Sequence, residues 1–323
     1  MAKITIGDTS YNANQEETVL DVLLRENIAI DYGCRQGVCQ SCMVQSVDNE
    51  PPAAAQNGLK DTLKQNKHFL ACLCKTEQDL TIALPNQIDS YVAATVTAKQ
   101  NLNANTVLLV LEYHEPLDFY AGQFVNLKRT DGLVRSYSIA NIARQNNQLE
   151  FHIRRLPGGR FSEWVFNDLQ IGQEIAASKP KGHCFYLPDR KQQGLLLVGT
   201  GSGLAPLAGI LQDALSQQHT GPIHLFHGSR TSHELYHIDE MRQLTEKYSN
   251  FKYTPCISGA DVAKGFTPGR ANEVAIEAFA DLKGWRIFLC GHPEMVNQMK
   301  TDAFLKGANM TDIYADPFLL TSE

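Results

Sequence analysis

No run of 18 apolar residues occurs in the 323-residue chain, so no helix is expected to span a bilayer. The nearest approach, GLLLVGTGSGLAPLAGIL at 194–211, is interrupted by glycines. An excess of positive charge is also lacking. With 29 Lys and Arg against 35 Asp and Glu, the net charge is −6, which gives no reason to expect nucleic acid or an anionic membrane as partner. The opening MAKITIGDTS has no basic stretch followed by an apolar core, as a secretory leader would, so the expected setting is a reducing cytoplasm. Internal repeats and low-complexity tracts are missing. Hydrolase chemistry is not indicated either. Ser202 lacks the glycine two residues before it that a nucleophile elbow needs, because Thr200 stands there. The ten histidines are scattered and show no 2-His-1-carboxylate pattern.

What remains is an ordinary globular composition, 43% apolar and 20% charged, with eight cysteines. In a reducing compartment these are expected to be free, metal-binding or catalytic. Three of them crowd into YGCRQGVCQSCMV, residues 32–44, where Cys34, Cys39 and Cys42 follow C-x4-C-x2-C. With a distant fourth cysteine this is the plant-type [2Fe–2S] spacing. A tight loop supplies three thiolates, and a returning segment supplies the fourth. Gly33 and Gly37 give that loop conformational freedom and leave N–H groups to point at the sulfurs, while Arg35 adds positive charge. The fourth ligand is Cys72 or Cys74 in FLACLCK, read as two residues on one face of a strand. Structural zinc is the competing use, but it favours two C-x2-C pairs and only Cys39 and Cys42 form one.

Three segments differ in rhythm. Residues 1–89 read as a small α+β unit, with KITI, CMVQSV and DLTIAL as strands and EETVLDVLLRENI as an amphipathic helix. LPNQIDSY around Pro85 reads as a linker. Residues 90–189 hold short β-rich runs, among them TVLLVLEY, QFVNLKR and LEFHIRRL, which predict an antiparallel barrel or sandwich. From 190 to 323, strands and helices alternate, which predicts a parallel sheet covered on both faces.

Motifs fall in the same order. RSYS at 135–138 follows YAGQFVNL. FHIRRLPGGRFSEWV at 151–165 places Gly158 and Gly159 in a turn, with Ser162 read as the cap of a helix starting at EWVF. VGTGSGLAP at 198–206 follows a buried strand and opens a helix. Its glycines let the backbone approach a pyrophosphate, and Pro206 sits early in the helix, where a missing N–H costs nothing. LCGHPEM follows the last apolar strand, and YADPFLLTSE ends the chain.

Residues 1–89 resemble a plant-type ferredoxin of β-grasp fold, and the remainder resembles the ferredoxin–NADP reductase superfamily. The order of the parts is similar to that in reductase components of bacterial multicomponent oxygenases and in deoxysugar-dehydrase reductases. The resemblance implies a [2Fe–2S] cluster on Cys34, Cys39, Cys42 and Cys72, with Cys74 a packed thiol. It implies FAD in a β-barrel domain. Arg135 would meet flavin phosphate, Ser136 and Tyr137 would line the flavin, and Ser138 would bond near its hydride-accepting nitrogen. His152, Ile153 and Arg154 would run beside the cofactor, and Gly159 and Ser162 would receive its pyrophosphate. For the nicotinamide dinucleotide it implies Gly199, Thr200, Gly201, Ser202, Gly203 and Pro206 at the pyrophosphate. Cys290 and Gly291 would lie at the nicotinamide ring, with Cys290 positioning it for hydride transfer. Phe318 would lie over the flavin. Ser229 and Arg230 lie where adenosine ribose selectivity is set, with no clear acid to clasp a free 2′-hydroxyl, so the choice between NADH and NADPH stays open with a lean to NADH.

The implied activity is electron transfer from NAD(P)H through FAD to the cluster and on to a protein acceptor, an oxygenase or another metalloenzyme. A redox sensor and a zinc-binding flavoprotein are the alternatives, and a full nicotinamide motif argues against the sensor.

Overall fold

A computed structural model describes residues 2–37, 39–75, 78–85, 91–143 and 147–318. The chain forms two compact units, Met1–Asp89 and Ser90–Glu323.

The first unit contains β1 (Lys3–Ile6), β2 (Thr9–Asn12), α1 (Val19–Arg25), β3 (Met43–Ser46), α2 (Asp61–Gln65), β4 (His68–Leu70) and β5 (Leu80–Ala83). The strands form one sheet in the order β2-β1-β5-β3-β4. The central pair, β1 and β5, is parallel and the other pairings are antiparallel, which is the β-grasp arrangement. Helix α1 starts where Thr18 and Asp21 cap each other's backbone reciprocally. It buries Val19, Leu20, Val22 and Leu23 in a core with Ile4, Phe69, Leu80 and Ile82. The strand expected to carry Cys72 and Cys74 ends at Leu70. Ala71–Leu73 is instead a 3₁₀ turn with Cys74 as its cap, so the two thiols do not share a strand face. Of the expected linker, residues 86–90 lie outside the described residues.

The second unit begins with six antiparallel strands: β6 (Tyr91–Asn103), β7 (Thr106–Tyr113), β8 (Phe124–Lys128), β9 (Val134–Ser138), β10 (Gln148–Arg154) and β11 (Glu174–Ser178). Their order is β10-β7-β6-β11-β8-β9. The two outer strands come back to one another, where the Ala140 N–H donates to the Glu150 carbonyl at 2.8 Å. Alternating residues such as Val107, Leu109 and Leu111 on β7, and Leu149, Phe151 and Ile153 on β10, fill the barrel. Helix α3 (Arg160–Asn167) covers one end through Phe161 and Val165.

Six parallel strands follow: β12 (Leu195–Thr200), β13 (Ile223–Ser229), β14 (Phe251–Ile257), β15 (Thr267–Pro268), β16 (Arg286–Gly291) and β17 (Ile313–Pro317). Their order is β15-β14-β13-β12-β16-β17. Successive residues of β12 serve opposite cores. Leu195 and Leu197 pack with α4 (Leu204–Ser216) and Met241 of α5 (Ile238–Lys247). Leu196 and Val198 pack with α6 (Ala271–Glu277) and α7 (Pro293–Leu305). Both faces are covered, as parallel sheets require.

Candidate active site

The cysteine loop takes its shape from residues in the left-handed region, but not from both expected glycines. Gly37 has φ +78°, joined by Arg35 at +54° and Gln40 at +58°. Gly33 has ordinary φ, and its lack of a side chain leaves room for the Cys39 sulfur, which lies 3.4 Å from where a Cβ would stand. Backbone donors turn inward. The N–H of Cys34 donates to Cys39 Sγ (3.4 Å), and those of Gln36 and Cys39 donate to Cys34 Sγ (3.4 and 3.3 Å). The Cys34 N–H foremost, and then Ser41, bring the Cys39 thiol down to about 6. The Arg35 guanidinium lies 3.5 Å from Asp21 and over the Tyr32 ring.

Cys72 is buried, which pushes its thiol up to about 11, and it is hydrogen-bonded to Cys42. Cys74 is fully buried in the apolar core and pushed up to about 12 by that burial. Among the described residues no three His, Cys, Asp or Glu side chains are gathered as a single ion would need. A binuclear cluster needs something else, two sulfurs at each iron. The pairing of Cys34 with Cys39 and of Cys42 with Cys72 fits it, and the inward N–H groups suit sulfur that carries negative charge.

A second site lies where the barrel meets the parallel sheet, within the second unit. Ser138, at the end of β9, donates its hydroxyl to Asp316 Oδ2 at 3.3 Å. Asp316 stands beside Cys290 in the β16–β17 register, and Cys290 stands beside Gly199 in the β12–β16 register. Burial raises the Asp316 carboxyl above its ordinary range. The Cys290 thiol is fully buried and raised well above the ordinary value, by burial first and then by its hydrogen bond with Cys184.

Gly203 is where the turn after β12 touches this strand. A Cβ there would meet the Cys290 carbonyl oxygen at 2.3 Å. A 3₁₀ turn, Gly201–Gly203, separates β12 from α4, so the helix proper starts at Leu204 and Pro206 is its third residue. Gly291 has φ +120° and packs on Thr200, whose hydroxyl accepts the His292 N–H at 3.0 Å. Phe318 is half-buried and donates its N–H to the Gly291 carbonyl.

Thr200 and Gly201 open onto a groove of about 420 Å³, also lined by Arg154, Ser229, Arg230 and Glu234. Glu234 is the acid that the sequence reading missed. Its carboxylate is engaged, taking the N–H of Arg230 (3.1 Å) and of Thr231 (3.3 Å). Ser202 is half-buried on the turn.

On the barrel side, three expectations change. Ile153 points into the core, because alternation along β10 sends its side chain inward. His152 is buried and meets the Tyr236 hydroxyl at 3.1 Å, so its ring is committed within the protein. Ser162 does not cap α3. The helix begins at Arg160 with Gly159 as N-cap, and the Ser162 hydroxyl turns back to accept the Leu156 N–H (3.0 Å) and donate to the Gly159 carbonyl (3.3 Å). Arg135 donates to the Val134 carbonyl (2.8 Å), and Ser136 donates to Asn126 (2.7 Å). Tyr137 packs on Phe161 with ring centroids 5.5 Å apart. The amino end of α3 is a helix start of the kind that suits a pyrophosphate. Gly158 makes the turn before α3, with φ +77° and open space where a Cβ would stand.

Three family models match the chain in the same order. A 2Fe-2S iron-sulfur cluster binding domain matches residues 4–77, an oxidoreductase FAD-binding domain 93–186, and an oxidoreductase NAD-binding domain 197–301. Over 318 residues the chain is 31% identical to the ferredoxin–NAD(P)(+) reductase component of naphthalene 1,2-dioxygenase/salicylate 5-hydroxylase systems of a Ralstonia species, covering 95% of both chains. The chain belongs to the reductase components of multicomponent oxygenases.

This reductase is also 31% identical to the corresponding naphthalene 1,2-dioxygenase component of Pseudomonas putida, over 93% of each chain. Among solved structures it is similar to an Amycolatopsis cytochrome P450 reductase, with TM-score 0.70, 27% identity and 98% and 99% of the two chains covered. A ferredoxin reductase in carbazole 1,9a-dioxygenase gives TM-score 0.66 at 26% identity, with 98% of each chain covered. The reductase is an NAD(P)H-dependent oxidoreductase that uses FAD and a [2Fe–2S] cluster. Among the described residues no helix is long and apolar enough to cross a membrane.

Proposed function

We propose that this reductase delivers single electrons to the oxygenase component of a multicomponent system in the cytoplasm, through the residues assembled above. When bound, the flavin divides a hydride's two electrons and the cluster carries them onward one at a time. The chain's part is to hold, orient and shield. Cys34, Cys39, Cys42 and Cys72 hold the cluster, and inward N–H groups offset its charge. Arg135, Gly159 and the start of α3 take the flavin pyrophosphate, while Tyr137 and Phe318 supply aromatic walls. Gly199 to Gly203 let the dinucleotide backbone close on the sheet, with Ser229 and Arg230 at the ribose end and Pro206 early in α4.

The observation that carries this reading is the convergence of Ser138, Asp316 and Cys290 from three distant stretches of chain. Burial lets the Asp316 carboxyl hold a proton, and its contact with the Ser138 hydroxyl gives that proton a path to the flavin side. Cys290 offers a small, polarizable surface at the same place, and its raised pKa keeps it a neutral thiol that does not attack the nicotinamide.

The domain divisions at 89/90 and 189/190 are proposed as functional boundaries between cluster, flavin and nicotinamide parts. The names of the similar proteins support an oxygenase as acceptor, and eight free cysteines suit a reducing compartment.

Stopped-flow flavin reduction by NADH and by NADPH tests the site. Cys290→Ala should slow flavin bleaching at saturating nucleotide by about tenfold or more, with little change in nucleotide affinity. An unchanged bleaching rate would remove Cys290 from the hydride step.

A further inference from the structure

Cys184 has no part in the chemistry above. It lies in the connection from β11 to β12, 4% exposed, with its Sγ 3.8 Å from Cys290 Sγ. The two residues are 106 positions apart. Both sit in one core cluster with Leu204, Leu207 and Phe288. A disulfide has an S–S distance of about 2.05 Å, so the sulfurs need to close by about 1.7 Å. Cys184 belongs to the run that finishes the barrel, with its carbonyl packed against Gly122, while Cys290 ends a strand of the parallel sheet.

We propose that Cys184 and Cys290 are a reversible oxidation site, and that the disulfide between them switches off hydride transfer. Hydrogen peroxide is the oxidant. The Cys184 thiolate attacks one peroxide oxygen, the O–O bond breaks, and a sulfenic acid forms as hydroxide leaves and takes up the thiol proton as water. Cys290 sulfur then attacks the Cys184 sulfur, the S–O bond breaks, and a second water leaves with the Cys290 proton. Two thiols lose two hydrogens and two electrons, and peroxide becomes two waters. Burial of both groups makes the reaction slow and selective for a small oxidant. Once formed, the bond draws Cys290 sulfur away from Asp316 and Ser138. It also ties the run that finishes the barrel to the end of a strand of the parallel sheet.

The consequence for activity rests on the reading that Cys290 faces the nicotinamide, and the test separates the two. Holo-reductase is treated with hydrogen peroxide, cleared with catalase, blocked with N-ethylmaleimide and mapped by peptide mass spectrometry. NADH–ferricyanide activity is read alongside, because it reports on the flavin and is insensitive to cluster damage. The expected result is a Cys184–Cys290 cross-linked peptide that appears in step with at least a tenfold loss of activity, both reversed by dithiothreitol. Cys184→Ser should start at wild-type activity and show no dithiothreitol-reversible loss. Absence of the cross-linked peptide overturns the oxidation site. A cross-link formed with activity intact overturns the switch and the placement of Cys290 at the nicotinamide. Reversible loss in Cys184→Ser to the wild-type extent overturns the pairing.

Discussion

Asp316 shows how one carboxyl can be costly to the fold and useful to the reaction. Burial raises its pKa, so over a window above the ordinary carboxylate value the folded chain holds a proton that the unfolded chain has released. Stability contributed by that group is therefore lost as pH rises through the window. Asp316→Asn removes the charge and keeps an acceptor for Ser138. The expected outcome is a higher melting temperature at pH 7 with a flatter dependence on pH, together with flavin reduction slowed by about 10²-fold or more, the usual scale of a lost acid–base group. Parallel calorimetry and stopped-flow measurements check both halves.

Two histidines run the opposite way. His152 and His227 are buried, which holds them down to about 3 and about 4. His227 gives its Nε2–H to the Gly201 carbonyl at 3.1 Å, which fixes the neutral tautomer. Below the ordinary histidine value the unfolded chain takes up protons that the folded chain refuses. Stability should then fall by about 1.4 kcal/mol per pH unit for each ring. Denaturant titrations from pH 7 to pH 5 should show this slope, and His152→Gln should remove its share.

None of these groups announced its partner in the sequence. Ser138 meets Asp316 across 178 positions and Cys184 meets Cys290 across 106. Such pairs are created by topology, and a single chain carries no local mark of them. Cys34, Cys39 and Cys42 stood out because loop spacing is itself local, whereas spacing left the fourth ligand open between Cys72 and Cys74 and only the resemblance favoured Cys72.

Elements were readable where one rule governed them. The buried strands of the parallel sheet and the amphipathic helix α1 follow from the apolar pattern, while the Thr18–Asp21 cap of α1 emerged only in the structure. Misreadings came where tertiary contacts overrode that pattern. Helix α3 starts at Arg160, three residues before the expected start at Glu163, because Gly159 is its N-cap and Ser162 is tied to Leu156. The three-residue strand β4 and the 3₁₀ turn that carries Cys72 are too short for periodicity to register.

The turn from β12 to α4 yields a prediction of its own. Gly203→Ala drives a methyl into the backbone oxygen of Cys290, and neither side of that contact is a flexible side chain. The expected cost is about 1–3 kcal/mol of stability. Nucleotide affinity should weaken with it, because the pyrophosphate turn and the end of β16 must move apart. Thermal unfolding and a nucleotide binding isotherm would show it, and an unaltered isotherm would mean that the turn does not contact nucleotide.

At the scale of the molecule, one compact unit holds the cluster cysteines and another holds the flavin and nicotinamide parts. The division of labour was legible in the order of the motifs. The single body formed by barrel and parallel sheet was not, because it depends on contacts such as Arg286. That side chain is buried on β16 and donates to Asp189 in the connection from the barrel. In the proposed function, electrons leave the second unit only by way of the first. Cys39→Ser holo-reductase compared with wild type under anaerobic NADH titration, followed by electron paramagnetic resonance and by transfer to the oxygenase acceptor, tests this most directly. The variant is expected to keep its flavin reduction rate, lose the reduced-cluster signal and pass less than about one hundredth of the wild-type electron flux to the acceptor. Full transfer without the cluster signal would contradict the account.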